Sequence, residues 1–330
     1  MQMMAIREEG NQTINTELIL LGFGDFQDLN VVLFLLFLVI YILTMAGNIL
    51  IVVLVVAKNN LHTPMYFFLA NLSCLETFYS STILPKILAG LTGEKAISIP
   101  GCIAQFYFFT ALVLTELGLL AIMSYDRYIA ICRPLHYASV MSDRLCLIMA
   151  VGSWMNGFLA MSVMMYLMTR LTFCGPNEID HFFCDLAPVA QIACSEDHRF
   201  ELMGFVFSTI FTLPPFLLTL TSYMFIITTI LRIPSATGRQ KAFSTCSSHL
   251  IVVTIYYSTL IIVYVLPNPE KMRKLNKVFS VFYTILTPLV NPLVYSLRNR
   301  EVKEAIRTSI GKVIQVIRPK ENRVIVSRIR

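Results

Sequence analysis

Hydrophobic residues in this chain gather into long runs, and short polar stretches separate them. The first run is free of charge from Asn30 to Ala57, and Lys58 ends it. A helix that crosses a bilayer needs about 20 apolar residues, so this run is long enough to span with some tilt. Leu61-His62-Thr63-Pro64 follows, and Pro64 suits the first turn of a second helix, expected over about 65–88. Further spans are expected at about 100–132, 145–168, 202–231, 242–266 and 278–297. Pro214-Pro215 predicts a kink in the fifth. The stretch from Arg298 places Val302, Ala305, Ile306 and Ile310 on one side, which suits a helix lying on a membrane surface. The fold class is therefore an all-α membrane protein, a seven-transmembrane helix bundle with a short amphipathic eighth helix. Residues 1–29 form the amino-terminal segment, 30–297 the bundle and 298–330 the tail.

Composition agrees. The chain is 56% hydrophobic and 14% charged, where a soluble domain carries about 25% charged residues. The first thirty residues hold Arg7, Glu8, Glu9, Glu17, Asp25 and Asp28 without an apolar core. No cleavable signal peptide is expected, and the first span should act as the insertion signal. Net charge is +6, but the basic residues sit in short loops and a tail with no aromatic stacking platform between them, which argues against nucleic acid. Seven spans put the termini on opposite sides. With the amino terminus outside, the inner side collects Lys58, Arg127, Arg133, Arg144, Arg232, Arg239, Lys241 and the basic tail. That is the orientation the positive-inside rule favours. Asn11-Gln12-Thr13, a glycosylation acceptor, then faces outward. So do Cys102, Cys174, Cys184 and Cys194, where disulfides persist; four cysteines allow three connectivities.

Candidate chemistry is sparse. Glu76 and Glu116 are the only carboxylates within the spans before Asp126, and both should point into the bundle, because a charge facing lipid is expensive. They are either hydrogen-bonded to polar neighbours or share a site for a hard cation such as sodium. His181 with Cys174, Cys184 and Cys194 lacks the short paired spacings of a zinc site. No nucleophile stands with a base and an orienting group, and no glycine loop cradles phosphate, so catalysis is not expected. Asp126-Arg127 at the end of the third span either marks the membrane surface or forms a switch, in which Asp126 holds Arg127 in one state and frees it in another. Aromatic and hydroxyl residues crowd the outer halves of spans three, six and seven; an inward-facing subset would line an apolar cleft suited to small, weakly polar ligands.

Taken as an ordered set, several motifs resemble the olfactory receptors of the rhodopsin-like G-protein-coupled receptor superfamily, tetrapod-type class. They are Gly47-Asn48, Leu61-His62-Thr63-Pro64-Met65-Tyr66-Phe67-Phe68-Leu69, Met123-Ser124-Tyr125-Asp126-Arg127-Tyr128, Cys132-Arg133-Pro134-Leu135-His136-Tyr137, His181-Phe182-Phe183-Cys184-Asp185, Ser222-Tyr223, Lys241 to Leu250, and Pro288-Leu289-Val290-Asn291-Pro292-Leu293-Val294-Tyr295. The resemblance runs from about Gly22 to Ile306. It implies a Cys102–Cys184 disulfide and a Cys174–Cys194 disulfide. It implies a G-protein switch at Asp126, Arg127 and Tyr128, and an activation motif at Asn291, Pro292 and Tyr295. Phe109, Thr110, Val113 and Leu114, with Tyr257, Leu260, Ile261 and Tyr264, match positions that line odorant pockets, and Glu116 matches the family's acidic residue in the third helix. The chain departs from the family at Glu76, where Asp is usual, at Ser258, where Gly is typical, and at Tyr256, where Phe is typical.

The resemblance thus implies a plasma-membrane receptor, not an enzyme. It would bind a small volatile odorant and activate a heterotrimeric stimulatory olfactory G protein, raising cyclic AMP, with membrane lipid around it. The alternative class, a channel or transporter built on Glu76 and Glu116, would be expected to carry internal repeats, and none is present.

Overall fold

The computed structural model describes residues 17–24, 29–168, 177–191, 199–266, 273–298 and 302–307. The apolar runs become the long helices α1 (Asn30–Ala57), α2 (Pro64–Leu91), α3 (Ile99–Cys132), α4 (Asp143–Met168) and α5 (Arg199–Leu231). Helix α6 (Ala236–Leu260) continues through Ile261–Val265 in a wider turn, and α7 joins Arg273–Val281, Phe282–Leu286 and Thr287–Arg298 end to end. A last short helix, α8, covers 302–307. Inside lipid no water can satisfy a free backbone group, which is why apolar runs of this length fold as helices.

Local chemistry sets several ends. Pro64 opens α2 after an extended Thr63. Ser98 caps α3 by accepting from the Gly101 N–H, and Ser235 caps α6 by accepting from the Gly238 N–H at 3.2 Å. The second cap corrects the expected sixth span: α6 begins at Ala236 instead of about 242, so part of the basic connection from Arg232 to Lys241 is helical. Among the described residues five helices are apolar and long enough to cross a membrane by composition alone; α6 is not among them, and neither is α2. Its interior holds Ser73, Glu76 and Ser80, all buried, and it packs against α1 and α3.

The bundle is apolar outside and partly polar inside. On α1, Val31, Leu35, Val39, Ile42 and Val53 are exposed while Thr44 and Asn48 are buried. That reversal of the soluble pattern fits a lipid surround, where exposed apolar area carries no cost. Helix α3 is the hub, packing on α2, α4 and α5 with most of its length buried.

One end carries a small sheet that the expected loops did not include. Strand β1 (Glu17–Leu20) lies between β2 (Ala96–Ser98) and β3 (Glu178–Ile179). It runs antiparallel to β2, with Leu18 opposite Ile97, and parallel to β3, with Leu20 opposite Ile179. Gly93, at φ +109°, makes the turn into β2 in a conformation that a side chain would strain. The sheet holds the amino-terminal segment over this end, and Phe23 stacks between Phe37 and Phe182 at 5.5 and 4.8 Å.

Candidate functional site

Three groups of residues could carry function, and they lie along the bundle from the sheet end to the Arg127 end. The first is a cavity between α3, α5, α6 and the segment after β3. Its wall includes Phe109, Thr110, Val113, Leu114, Leu260 and Tyr264, six of the eight expected lining residues. The other two go elsewhere. Tyr257 donates to the Leu117 carbonyl at 3.1 Å and packs on Phe216, so it ties α6 to α3 and α5. Ile261 is not part of the wall. The wall also includes Phe106, Leu117, Met164, Asp185, Leu186, Phe207, Ser208 and Thr212, which the sequence did not single out as lining residues. The space is small, about 40 Å³, and is walled mainly by apolar side chains with a few hydroxyls and one carboxylate, a make-up that small-molecule sites share.

The Cys102–Cys184 disulfide draws the long loop onto the start of α3, and Gln105 Oε1 accepts from the Cys184 N–H at 3.0 Å. That anchor brings Asp185 over the cavity. Its Oδ1 accepts from the Leu186 N–H at 2.7 Å, and the Tyr264 hydroxyl lies 2.9 and 2.7 Å from Oδ1 and Oδ2. Burial pushes the Asp185 carboxyl up to about 6, against the pull of these hydrogen bonds. Burial pushes His181 the other way, down to about 3, and keeps its ring neutral among Phe182 and Phe183. Lys277 closes the loop from α7, donating to the Asp180 carboxylate at 2.6 Å and to the Gly22 carbonyl at 2.9 Å.

The second group sits mid-bundle. Glu76 and Glu116 are both fully buried. Asn291 Nδ2 donates to Glu76 Oε1. Asn48 Nδ2 donates to the Thr44 and Pro288 carbonyls at 3.1 and 3.2 Å. A side chain at Gly47 would touch Pro292 at 3.2 Å. The Gly47-Asn48 motif and the Pro288 to Pro292 motif are therefore two halves of one contact between α1 and α7. Among the described residues Glu76 Oε2, Ser80 Oγ and Asn291 Oδ1 are buried without a hydrogen-bond partner, while Glu116 has the Tyr256 hydroxyl as its neighbour. Oxygens of this kind suit either protonated carboxyls bonded to polar neighbours or a hard cation, and no cluster of three His, Cys, Asp or Glu side chains that could hold a metal ion occurs among the described residues.

The third group is at the far end. Asp126 and Arg127 are neighbours but turn apart: the Tyr137 hydroxyl donates to Asp126 Oδ1 at 2.8 Å, and Arg127 meets Met65 Sδ. Tyr128 packs on Phe225 of α5. Cys174, Cys194, Asn11 and the side chain of Tyr295 lie outside the described residues.

Comparison with known proteins gives the arrangement its context. The sequence pattern of the olfactory receptor family matches residues 37–312. The chain is 50% identical to human olfactory receptor 6B1 over 90% of its own length and 95% of that receptor. It is 49% identical to human olfactory receptor 6F1, over 91% of this chain and 97% of that one. Among solved structures, squid rhodopsin superposes with a TM-score of 0.68 at 16% identity, covering 90% of this chain and 84% of that one, which shows the shared fold. A multi-pass bundle with a small, mainly apolar cavity at one end and an arginine at the other, matched over most of its length by these relatives, belongs to the olfactory receptor family of G-protein-coupled receptors and is a receptor, not an enzyme.

Proposed function

We propose that the chain lies in the plasma membrane with its amino terminus outside, binds a small volatile odorant in the cavity at the sheet end, and activates a stimulatory olfactory G protein that raises cyclic AMP. The observation that carries this reading is the cavity itself: Phe109, Thr110, Val113, Leu114, Leu260 and Tyr264 come together from two helices around one space. Ligand favours the conformation in which the inner ends of α3, α5 and α6 separate, and it can do so only through its different affinity for the two states. Asp126, Arg127 and Tyr128 serve as the switch, with Arg127 leaving its Met65 contact to meet the G protein. Asn291, Pro292 and Tyr295 pass the change along α7. Tyr257 and Ile261 act beside the cavity: Tyr257, through its bond to Leu117, reports α6 movement to α3.

Glu76 and Glu116, with the unsatisfied oxygens around them, hold a sodium ion in the resting state. On the outer side a Cys174–Cys194 disulfide and a glycan at Asn11 complete the loop and the amino-terminal segment. Membrane lipid covers the exposed faces of α1, α4 and α5, and α8 rests on the inner surface with Val302 and Ala305 buried against the bundle. The test is a panel of volatile compounds applied to cells that express the chain, with cyclic AMP as readout and surface delivery measured in parallel. A ligand-dependent rise is expected. A surface-delivered chain silent to every class of volatile, or one that passes current without a G protein, overturns the reading.

A further inference from the structure

Two adjacent tyrosines of α6 cross to two adjacent residues of α3. Tyr256 and Tyr257 are both fully buried. The Tyr257 hydroxyl donates to the Leu117 carbonyl at 3.1 Å. One residue earlier on α3, the Glu116 carboxyl faces the Tyr256 hydroxyl. Tyr256 Oη and both Glu116 oxygens are buried and have no other hydrogen-bond partner among the described residues. Tyr79 also lies near Glu116, but its hydroxyl donates to the Tyr283 carbonyl at 3.2 Å. Buried polar groups are rarely left unpaired, so Tyr256 and Glu116 have each other as partners. Tyr256 is also a point where this chain departs from its family, in which Phe is typical.

The seam these tyrosines cross is otherwise thin. Among the described residues α3 packs along α2, α4 and α5, whereas α6 packs mainly on α5 and α7. The two hydroxyls therefore tie helices whose backbones do not lie side by side. Apolar contacts have no preferred direction and tolerate a small shift of a helix. A hydrogen bond depends on distance and angle and does not. Movement of α6 away from α3 leaves a hydroxyl and a carboxyl buried without partners, which is costly in an apolar interior.

We infer that Tyr256 is a positioning residue that clasps α6 to Glu116 of α3 and holds the receptor closed in the absence of ligand. The inference rests on the proposed opening of α6 from α3 and names a residue that sets how readily it occurs. The Tyr257 bond to Leu117 lies beside it and adds to the same restraint. Phe at this position keeps the ring, and with it the edge-on contact with Tyr257 at 6.3 Å, and loses only the tie. The equilibrium then moves toward the open state by the contribution of one hydrogen bond.

The test compares wild type, Tyr256→Phe, Glu116→Ala and the double variant, each as the full-length chain without ligand. One readout is basal G-protein activation per receptor delivered to the surface. The other is energy transfer between fluorophores attached in place of Arg133 and Arg239, which are exposed at the Arg127 ends of α3 and α6. Tyr256→Phe is expected to raise basal activation about three- to ten-fold and to enlarge the population with the two labels far apart. In the Glu116→Ala background the same substitution should change either readout by less than about 1.5-fold, because the tie is already lost. A residue that only fills space would lower surface delivery and leave both readouts per delivered receptor unchanged. Should Tyr256→Phe not reach the surface, Glu116→Ala removes the acceptor instead and must widen the label separation; no widening overturns the inference. If Tyr256→Phe leaves both readouts at wild-type values, or shifts them equally in both backgrounds, the clasp is overturned while the receptor reading stands. If the labels move apart as expected and no G protein responds, the clasp stands and the signalling reading falls.

Discussion

Single residues set how closely the helices approach. Gly157 of α4 faces α3 so tightly that a methyl group there would overlap the Ala111 carbonyl oxygen and Thr115 Oγ1. Backbone cannot retreat as a flexible side chain can, so Gly157→Ala should force α4 from α3 at a cost of about 1–3 kcal/mol. Thermal unfolding of purified receptor in detergent, compared with Gly152→Ala, checks this. A side chain at Gly152 meets nothing within 4 Å, so that variant should unfold near the wild-type temperature. Both glycines sit in the same apolar run, and nothing in their sequence neighbourhood separates them. Likewise Tyr257 and Tyr264 share the crowded outer half of the sixth span, yet one bonds to a backbone carbonyl and the other to Asp185.

At the scale of elements, the segment after β3 buries two ionisable groups, His181 and Asp185. His181 is 7% exposed and its Nδ1 has no hydrogen-bond partner. Burial lowers its pKa from the ordinary 6.5 to about 3, with a further push from Lys277. The folded state therefore binds its proton less readily than the unfolded chain. The stability this neutral ring contributes is present above pH 6.5 and is lost as pH falls from 6.5 toward 3. Asp185 acts in the opposite sense. Its carboxyl is raised from 3.8 to about 6, so protonation in that window favours the fold. The two offset each other, and a His181→Gln variant isolates the histidine. Between pH 6.5 and 5 the wild type should lose about 2 kcal/mol relative to that variant. Unfolding temperatures of both proteins at pH 7 and pH 5 measure the difference.

At the scale of the whole molecule, the proposed function requires two ends to be coupled. The cavity lies under the sheet, and Asp126, Arg127 and Tyr128 lie at the opposite end of the same α3 helix, with the buried Glu76, Glu116 and Asn291 group between them. A helix buried along most of its length moves as a body, which is what a two-state receptor requires. On the proposed reading, Arg127→Ala removes the cation that meets the G protein while leaving the apolar seams intact. Ligand-evoked activation is expected to vanish with surface delivery retained, as read by G-protein dissociation beside an amino-terminal epitope count. Normal signalling in that variant would exclude the switch role.

The amino-acid order by itself determined the length and number of the apolar runs, and so where the chain can cross a bilayer. Helix α1 occupies the very interval, Asn30–Ala57, that is free of charge. This is legible because a helix satisfies its own backbone within the segment, and lipid rewards nothing else. The motifs also located the cysteine that α3 offers to the loop and six residues of the cavity wall. Only the tertiary structure decided which polar groups meet. Asp185 reaches Tyr264 and Tyr283 across 79 and 98 residues of sequence. Three short strands from distant segments form one sheet. Pairings of this kind depend on how whole helices pack, and no local pattern of hydrophobic and polar positions encodes them.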